Sequence, residues 1–333
     1  MTLVWGPLSD RIGRVPVILG SLGAFVVLTA LTAAASTAEV FVAARLVTAV
    51  GASGIVPIAL AMIGDLVPYA ERGRVLGTFF GAMAGGIAFG CSAGALLEPV
   101  IGWRGLFLGV AILAAVGFAA LVHERHILGR RPPGPAPPPA VVARNYLRLL
   151  ADGRARRTYG YVLVNAILHS GIYTWLGLYF GRRFGLGEAG IGLALLGYGV
   201  PGFVLGPVTG RLADRRGRAT LVPVGVGAAV SALLLAPHLP LAVPVVTVAV
   251  LSLGYDLTQP LLAGIVTHFS APRGQAMGLN VFTLFVGFGL GSLVFQGLLH
   301  RGFSTALTVF GMAGLLAAAA AVPLFRTETA GGR

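Results

Sequence analysis

The sequence predicts an all-α integral membrane protein of about ten spanning helices in two repeated halves. Three observations predict this fold class. The 333-residue chain is 56% hydrophobic and only 11% charged, with a mean hydropathy of +0.87, whereas a soluble domain has about 25% charged residues. Its apolar residues fall into runs long enough to cross a bilayer. One loop motif occurs twice, at 6–14 and at 210–218.

Ten apolar stretches have the length of a spanning helix, which is about 20 residues. They are 15–35, 40–63, 75–97, 106–122, 159–180, 189–207, 219–235, 241–266, 277–299 and 304–325. If the loop before the first stretch is cytoplasmic, 19 of the 24 basic residues, all of them arginine, lie on the cytoplasmic side and four on the other. This bias follows the positive-inside rule. The net charge of +13 therefore indicates topology in the cell (inner) membrane and does not indicate nucleic-acid binding.

Internal repetition defines the domain organisation. Residues 6–14 and 210–218 share the pattern G-x-L-x-D-R-x-G-R, and the run RGRVLG at 72–77 is echoed by RGQAMG at 273–278. The sequence thus predicts an N-terminal bundle over 1–125 and a linker over 126–157 that is rich in proline and arginine. A C-terminal six-helix bundle over 158–326 and a cytoplasmic tail over 327–333 follow. The repeat register places two spans before Gly210 but only five residues before Gly6. We therefore expect the first two of twelve helices to be missing, through a misassigned start or a truncation.

These motifs resemble the major facilitator superfamily, in which two parallel-repeat bundles bind substrate between them near the midplane. The resemblance implies that the repeated loops act as a conformational switch. A latch of paired charges fits such a role, although a solvated loop that serves only topology is the alternative. The switch residues are Gly6, Asp10, Arg11, Gly13, Arg14, Gly210, Asp214, Arg215, Gly217 and Arg218.

Two further motifs carry the resemblance. Arg45 matches a family arginine near the start of the fourth helix, and the resemblance implies a role in proton coupling; the alternative is that Arg45 snorkels to the interface. Gly86, Gly90 and Gly94 match most of a motif of exporters, although Cys91 stands where that motif has proline. Close helix packing is also predicted by small residues at spacings of four, and these are Gly81, Gly85, Gly86, Gly90 and Gly94.

Polar residues within the second half are candidates for a substrate and proton cavity. Asn165, His169 and Tyr173 recur every four residues, so they share one helix face. Asp256 is the only acid well inside a span of that half, and Gln259 follows it by one turn. Ionisable residues inside a membrane are functional by default. The alternative is that these side chains bond helices together.

The predicted function is secondary active transport by alternating access, as proton-coupled efflux of a small organic molecule or drug. The alternatives are an importer or uniporter of sugars or organic ions, and a truncated membrane protein that does not transport. We expect no enzymatic activity, cofactor or metal, because the chain has one cysteine and no clustered carboxylate or histidine constellation. It also has no phosphate-binding loop for ATP. The expected partners are the substrate, protons and the lipid bilayer, with the protein as a monomer.

Overall fold

The structure is a computed structural model that describes residues 2–126, 138–216, 235, 237, 239–326 and 328. Helices dominate these ranges, and no strand occurs within them. Within the described ranges there are twelve α-helices: α1 Thr2–Ile12, α2 Arg14–Ala33, α3 Ala38–Ala52, α4 Ile55–Leu66, α5 Arg72–His123, α6 Pro139–Ala151, α7 Gly153–Tyr173, α8 Leu176–Phe184, α9 Glu188–Arg216, α10 Ala242–Val266, α11 Arg273–Leu299 and α12 Phe303–Leu324.

Eight helical segments in the described ranges are long and apolar enough to cross a membrane. Segments 14–33, 38–66, 153–184, 188–212, 242–266, 273–299 and 303–324 each correspond to one predicted span, and segment 72–123 contains two. The all-α membrane fold is therefore confirmed. The predicted span 219–235 lies outside the described residues except for Leu235, so the total of ten remains a prediction.

Breaks within the segments fall at small residues and turns. Segment 72–123 is the 52-residue helix α5, in which Gly102 has a non-helical backbone with φ 66°. Glycine adopts this left-handed conformation without the steric cost that a side chain adds. Turns after Ala52 and Tyr173 separate α3 from α4 and α7 from α8. The predicted spans were therefore right in position but interrupted where the backbone leaves the helix.

The described chain forms two compact units. Unit 1 comprises Met1–Asp65, Leu97–Asp152 and Phe269–Phe282. Within it, α2 packs against α1 and α3, and side chains of Val17, Ile18 and Ile58 form a buried core.

Unit 2 comprises Leu66–Leu96, Gly153–His268 and Thr283–Arg333. Its helix α10 packs mainly on α9 and also on α7, beside an aromatic-rich core that includes Phe180, Phe295 and Phe310. The predicted division of the chain into bundles at 1–125 and 158–326 stays a prediction.

The linker and tail are described only in part. Residues 127–137 of the predicted linker lie outside the described ranges, and α6 and the first residues of α7 form the rest. In the tail, the buried Glu328 carboxylate accepts hydrogen bonds from Arg154 at 2.8 and 2.7 Å and from Arg157 at 2.6 Å. These pairs hold the end of the chain to the start of α7.

Matching helix contacts in the two units support the predicted repeat. In unit 1 the backbones of Gly6 and Gly274 lie so close that a methyl group on either would clash with the other. In unit 2 a methyl group on Gly210 would likewise clash with the Gly73 backbone. Because Gly6 corresponds to Gly210 in the repeat and Gly73 to Gly274, one contact is the counterpart of the other. Close approach of this kind requires residues without a side chain.

Candidate functional site

The predicted polar face of α7 is present and largely buried. Asn165 and His169 are 4% and 6% exposed, and Tyr173 is half-buried. The His169 and Tyr173 rings stack with their centroids 6.1 Å apart, which follows from their spacing of one helical turn. The three residues therefore form one surface directed toward the neighbouring helices.

Aromatic rings from three other helices meet this surface. The Tyr255 ring of α10 stacks on His169 at 3.7 Å between centroids, and the Tyr198 ring of α9 stacks on Tyr173 at 3.9 Å. The Tyr198 hydroxyl also lies within hydrogen-bonding distance of the His169 ring nitrogens. Phe288 of α11 lies 5.9 Å from His169. We call these five residues, His169, Tyr173, Tyr198, Tyr255 and Phe288, the aromatic cluster.

Asp256 lies beside the aromatic cluster and on another side of α10. Its carboxylate is buried and accepts a hydrogen bond from the Ser252 hydroxyl at 2.9 Å. A methyl group on Gly202 of α9 would clash with this carboxylate, so the glycine is what allows the acid to sit between the helices. The described contacts of Asp256 and His169 include no hydrogen bond that joins the two. Tyr255, adjacent to Asp256 in sequence, is the link between them.

Two buried amides near the cluster have unpartnered atoms in the described structure. The side chain of Gln259 is fully buried, and both its Nε2 and its Oε1 are without a hydrogen-bond partner. The Nδ2 of Asn165 is likewise unpartnered. Each buried polar group left unpaired costs about 1–3 kcal/mol. A ligand that pairs with these atoms would remove this cost.

Cys91 contributes to the site from α5. Its Sγ lies 3.3 Å from the Tyr173 hydroxyl. The residue that replaces the proline of the exporter motif therefore contacts the aromatic cluster. No sequence pattern indicated this contact, because 82 residues separate the two side chains.

A second group of polar residues forms in unit 1 around the first loop motif. Arg14 is paired with Asp10 at 2.8 Å and with Asp65 at 3.2 Å, and Asp65 also pairs with Arg273 at 2.7 Å. We call Asp10, Arg14, Asp65 and Arg273 the charge cluster. A pocket of about 400 Å³ is lined by Asp10, Asp65 and residues 270–273. Asp65 and Arg273 were not among the predicted switch residues. Their signals in the sequence were the position of Asp65 at the cytoplasmic end of a predicted span and that of Arg273 at the start of the repeated run RGQAMG.

The remaining residues of the first loop motif have distinct positions. Gly13 has φ 97° and forms the turn between α1 and α2, a conformation that favours glycine. Arg14 is 6% exposed, whereas Arg11 is exposed to solvent. The Asp10 carboxylate lies beside Gly274, at the first turn of α11, where a negative charge is favoured by the helix dipole.

The second loop motif lies partly outside the description. Gly210 lies in the close helix contact with Gly73. The backbones of Asp214 and Arg215 belong to α9, but their side chains are not described, and Gly217 and Arg218 lie outside the described residues. A switch role for this copy stays a prediction.

The remaining motif residues are Arg45 and the predicted packing glycines of α5. Arg45 is exposed, and its guanidinium stands over the Phe107 ring at 5.3 Å from the centroid. A role in proton coupling stays a prediction. A methyl group on Gly86, Gly90 or Gly94 would meet no described atom within 4 Å.

Close packing on α5 occurs at Gly81 and Gly85 of the predicted row, and also at Gly77. Gly77 and Gly81 lie against the α9 backbone, and Gly85 lies against the Phe203 ring. The predicted row therefore packs only in part, since Gly86 lies on another side of the helix. Gly85 and Gly86 are neighbours in the sequence, and one helix position is a rotation of about 100°.

Comparisons with known proteins identify relatives of the whole chain. The Major Facilitator Superfamily model matches residues 1–292 and, in an overlapping match, 163–332. The uncharacterised MFS-type transporter YwfA of Bacillus subtilis is 29% identical over 81% of this chain and 66% of its own length. A chloramphenicol resistance protein of Pseudomonas aeruginosa is 40% identical over 34% of this chain and 28% of its own length. The matched stretches thus span less than two thirds of both relatives.

One solved structure has a similar fold. The human organic anion transporter MFSD10 superposes with a TM-score of 0.79 at 21% sequence identity, over 96% of this chain and 80% of that one. At this identity the likeness concerns the fold alone.

Proposed function

Because this chain belongs to the Major Facilitator Superfamily, we propose that it is a secondary active transporter that exports small organic molecules in exchange for protons. It works in the cell membrane by alternating access. The observation that carries the proposal is the aromatic cluster, which brings four helices together around buried polar groups inside spanning segments. Polar groups inside a spanning segment cost free energy, and helix packing does not need them, so their presence favours a functional role. The similarity to a chloramphenicol resistance protein supports drug export as the direction and kind of transport.

Asp256 is the proposed proton carrier. It is buried within α10, and its described hydrogen bond is the one from Ser252. A carboxylate at this depth gains or loses its charge when it exchanges a proton, and a buried charge costs several kcal/mol without a partner. The Tyr255 side chain, next to it on α10, is stacked in the aromatic cluster. A substrate that displaces this ring therefore alters the surroundings of the carboxylate, and this couples binding to proton release.

The charge cluster of unit 1 is the proposed latch of the transport cycle. Its four residues come from α1, α2, α4 and α11, so the ion pairs fix the ends of these helices in one conformation. Movement of any of these helices separates at least one pair. Interfaces of this kind are bistable, with discrete formed and broken states.

Proteoliposomes test the proposed export. Addition of a substrate such as chloramphenicol should change the lumenal pH of proteoliposomes that contain the wild-type protein, as reported by an entrapped pH-sensitive dye. Asp256→Asn, which cannot lose a proton, should abolish this proton flux but retain exchange of labelled for unlabelled substrate. Asp152→Asn, at an exposed position between α6 and α7, is the matched control and should behave as wild type. Proton flux at the wild-type rate in Asp256→Asn would show that another group carries the proton.

A further inference from the structure

The unpartnered amides and the aromatic cluster lie on facing helices, and their relative positions follow from the helix directions. Helix α11 runs parallel to α7, because Gly287 packs against Ala166 and the later Ser292 carbonyl accepts from the later Trp175 indole. Helix α10 leads into α11 through the short connection 267–272, so the two run in opposite directions. Helix α10 is therefore antiparallel to α7.

This arrangement places both amides on the same side of the ring stack. Asn165 precedes His169 by four residues on α7, and Gln259 follows Tyr255 by four residues on α10. Residues four apart share a helix face and are separated by about 6 Å along the axis. Because His169 stacks on Tyr255, both amides lie about one turn away toward the end at which α7 begins. Their unpartnered atoms are two N–H donor groups and one carbonyl acceptor.

We propose that this stack and the two amides form a binding site for neutral planar aromatic molecules that carry a carboxamide-type group. The guest ring displaces the Tyr255 ring from its 3.7 Å contact with His169 and stacks between the two rings. Its carbonyl oxygen accepts hydrogen bonds from the Asn165 and Gln259 amide nitrogens, and its N–H donates to the Gln259 carbonyl. Every unpartnered atom of the two amides then has a partner. The inference names the substrate class of the proposed exporter and thus rests on that function.

The charges around the site disfavour an anionic guest. In the described part of the chain, no arginine is in hydrogen-bond or ring contact with the aromatic cluster. The nearest ionisable acid is Asp256, next to Tyr255 in sequence. A carboxylate guest would enter an apolar site with no cation to pair with, and this is costly. A carboxamide of the same shape supplies the acceptor without the charge.

Equilibrium binding to the full chain in lipid nanodiscs tests the inference without any transport. The probes are 2-naphthamide, 2-naphthoate and decahydronaphthalene-2-carboxamide, with empty nanodiscs as the control for partitioning into lipid. We expect saturable binding of 2-naphthamide. The naphthoate lacks the neutral amide and the saturated analogue lacks the flat ring, so each should bind roughly tenfold more weakly or worse. Equal affinity for all three probes would overturn the proposal.

Variants of the two amides locate the site. Asn165→Leu and Gln259→Met keep the side-chain volume but remove the hydrogen bonds, so each should weaken 2-naphthamide binding roughly threefold to tenfold. Gln275→Met is the matched control, because Gln275 is also buried with an unpartnered amide oxygen but belongs to unit 1. Unchanged affinity in both site variants would refute the assignment. If a variant fails to elute as a single species on size-exclusion chromatography, the comparison of the three probes on the wild-type protein still tests whether the site selects a neutral planar carboxamide.

Separate measurements of binding and of transport distinguish the proposed carboxamide site from the proposed export function. Selective binding of 2-naphthamide in a protein that moves no protons would leave the site standing and remove the exporter proposal. Proton-linked export of other compounds without 2-naphthamide binding would do the reverse.

Discussion

The charge cluster yields the sharpest prediction, because one acid holds two arginines. Asp65 accepts from Arg14 at 3.2 Å and from Arg273 at 2.7 Å, and its side chain is 21% exposed. In Asp65→Asn the side chain keeps its shape but loses its charge and one of its two acceptor oxygens. One arginine therefore loses its bond to residue 65, and the other keeps a weaker, neutral hydrogen bond to it.

The magnitude follows from the burial of the two arginines. The Arg14 side chain is 7% exposed, and a hydrogen bond to a charged group at such a site contributes about 1.5–3 kcal/mol. The Arg273 side chain is 38% exposed, so solvent screening reduces its pair to about 0–1 kcal/mol. Because Arg14 retains Asp10 as a second partner, we expect the variant to lose about 1.5–3 kcal/mol of local stability. This corresponds to roughly a tenfold to hundredfold larger population of the open cluster, at about 1.4 kcal/mol for each factor of ten.

Hydrogen–deuterium exchange in nanodiscs measures this change directly, since amide protection reports local opening. Amides in 2–12 and 273–282 should exchange roughly tenfold to a hundredfold faster in Asp65→Asn, while those in 303–324 keep their rates. Asp152→Asn is the control for removal of an exposed acid. Unchanged exchange at 2–12 and 273–282 would refute the view that the charge cluster holds α1 and α11 together.

Three further predictions concern packing, pH and stacking. Gly206→Ala should lower the free energy of unfolding by about 1–3 kcal/mol, because its methyl group would overlap the Gly77 backbone. Gly90→Ala should raise it by up to about 1 kcal/mol, because the space beside Gly90 is open; thermal unfolding in detergent measures both. Burial and the charge of Asp10 raise the pKa of Tyr146, so its contribution to stability is present below pH 10 and is lost as pH rises above that unfolded-state value. Tyr146→Phe should flatten this alkaline loss. Tyr255→Leu should weaken 2-naphthamide binding roughly twofold to tenfold and leave the saturated carboxamide unaffected.

Much of the fold was accessible from the sequence. The length of an apolar run and the arginine content of its flanks are local properties. In a bilayer, a run of sufficient length forms a spanning helix, and the flanking arginines determine its orientation. The predicted spans therefore matched helices wherever the structure describes the chain. The break at Gly102 falls between the predicted spans 75–97 and 106–122. The turns after Ala52 and Tyr173 were not predicted, because they lie inside apolar stretches that are long enough to span without a break.

The candidate site was accessible only in part. The spacing of Asn165, His169 and Tyr173 predicted their common face, since period and face are linked within one helix. The partners of this face, Tyr198 and Tyr255 among them, lie on other helices, and no local pattern specifies which side of those helices turns inward. The same limit explains why Gly85 and not Gly86 packs against α9.

The sequence by itself determined that the chain crosses a membrane, that its halves repeat and which family it resembles. These properties depend on composition and on order along the chain. The tertiary structure decided which rings stack, which acid holds Arg14 and which amides remain without a partner. Those contacts join residues far apart in sequence, such as Asp65 and Arg273. They depend on the rotation of each helix about its axis, and that rotation is fixed by packing against the neighbouring helices.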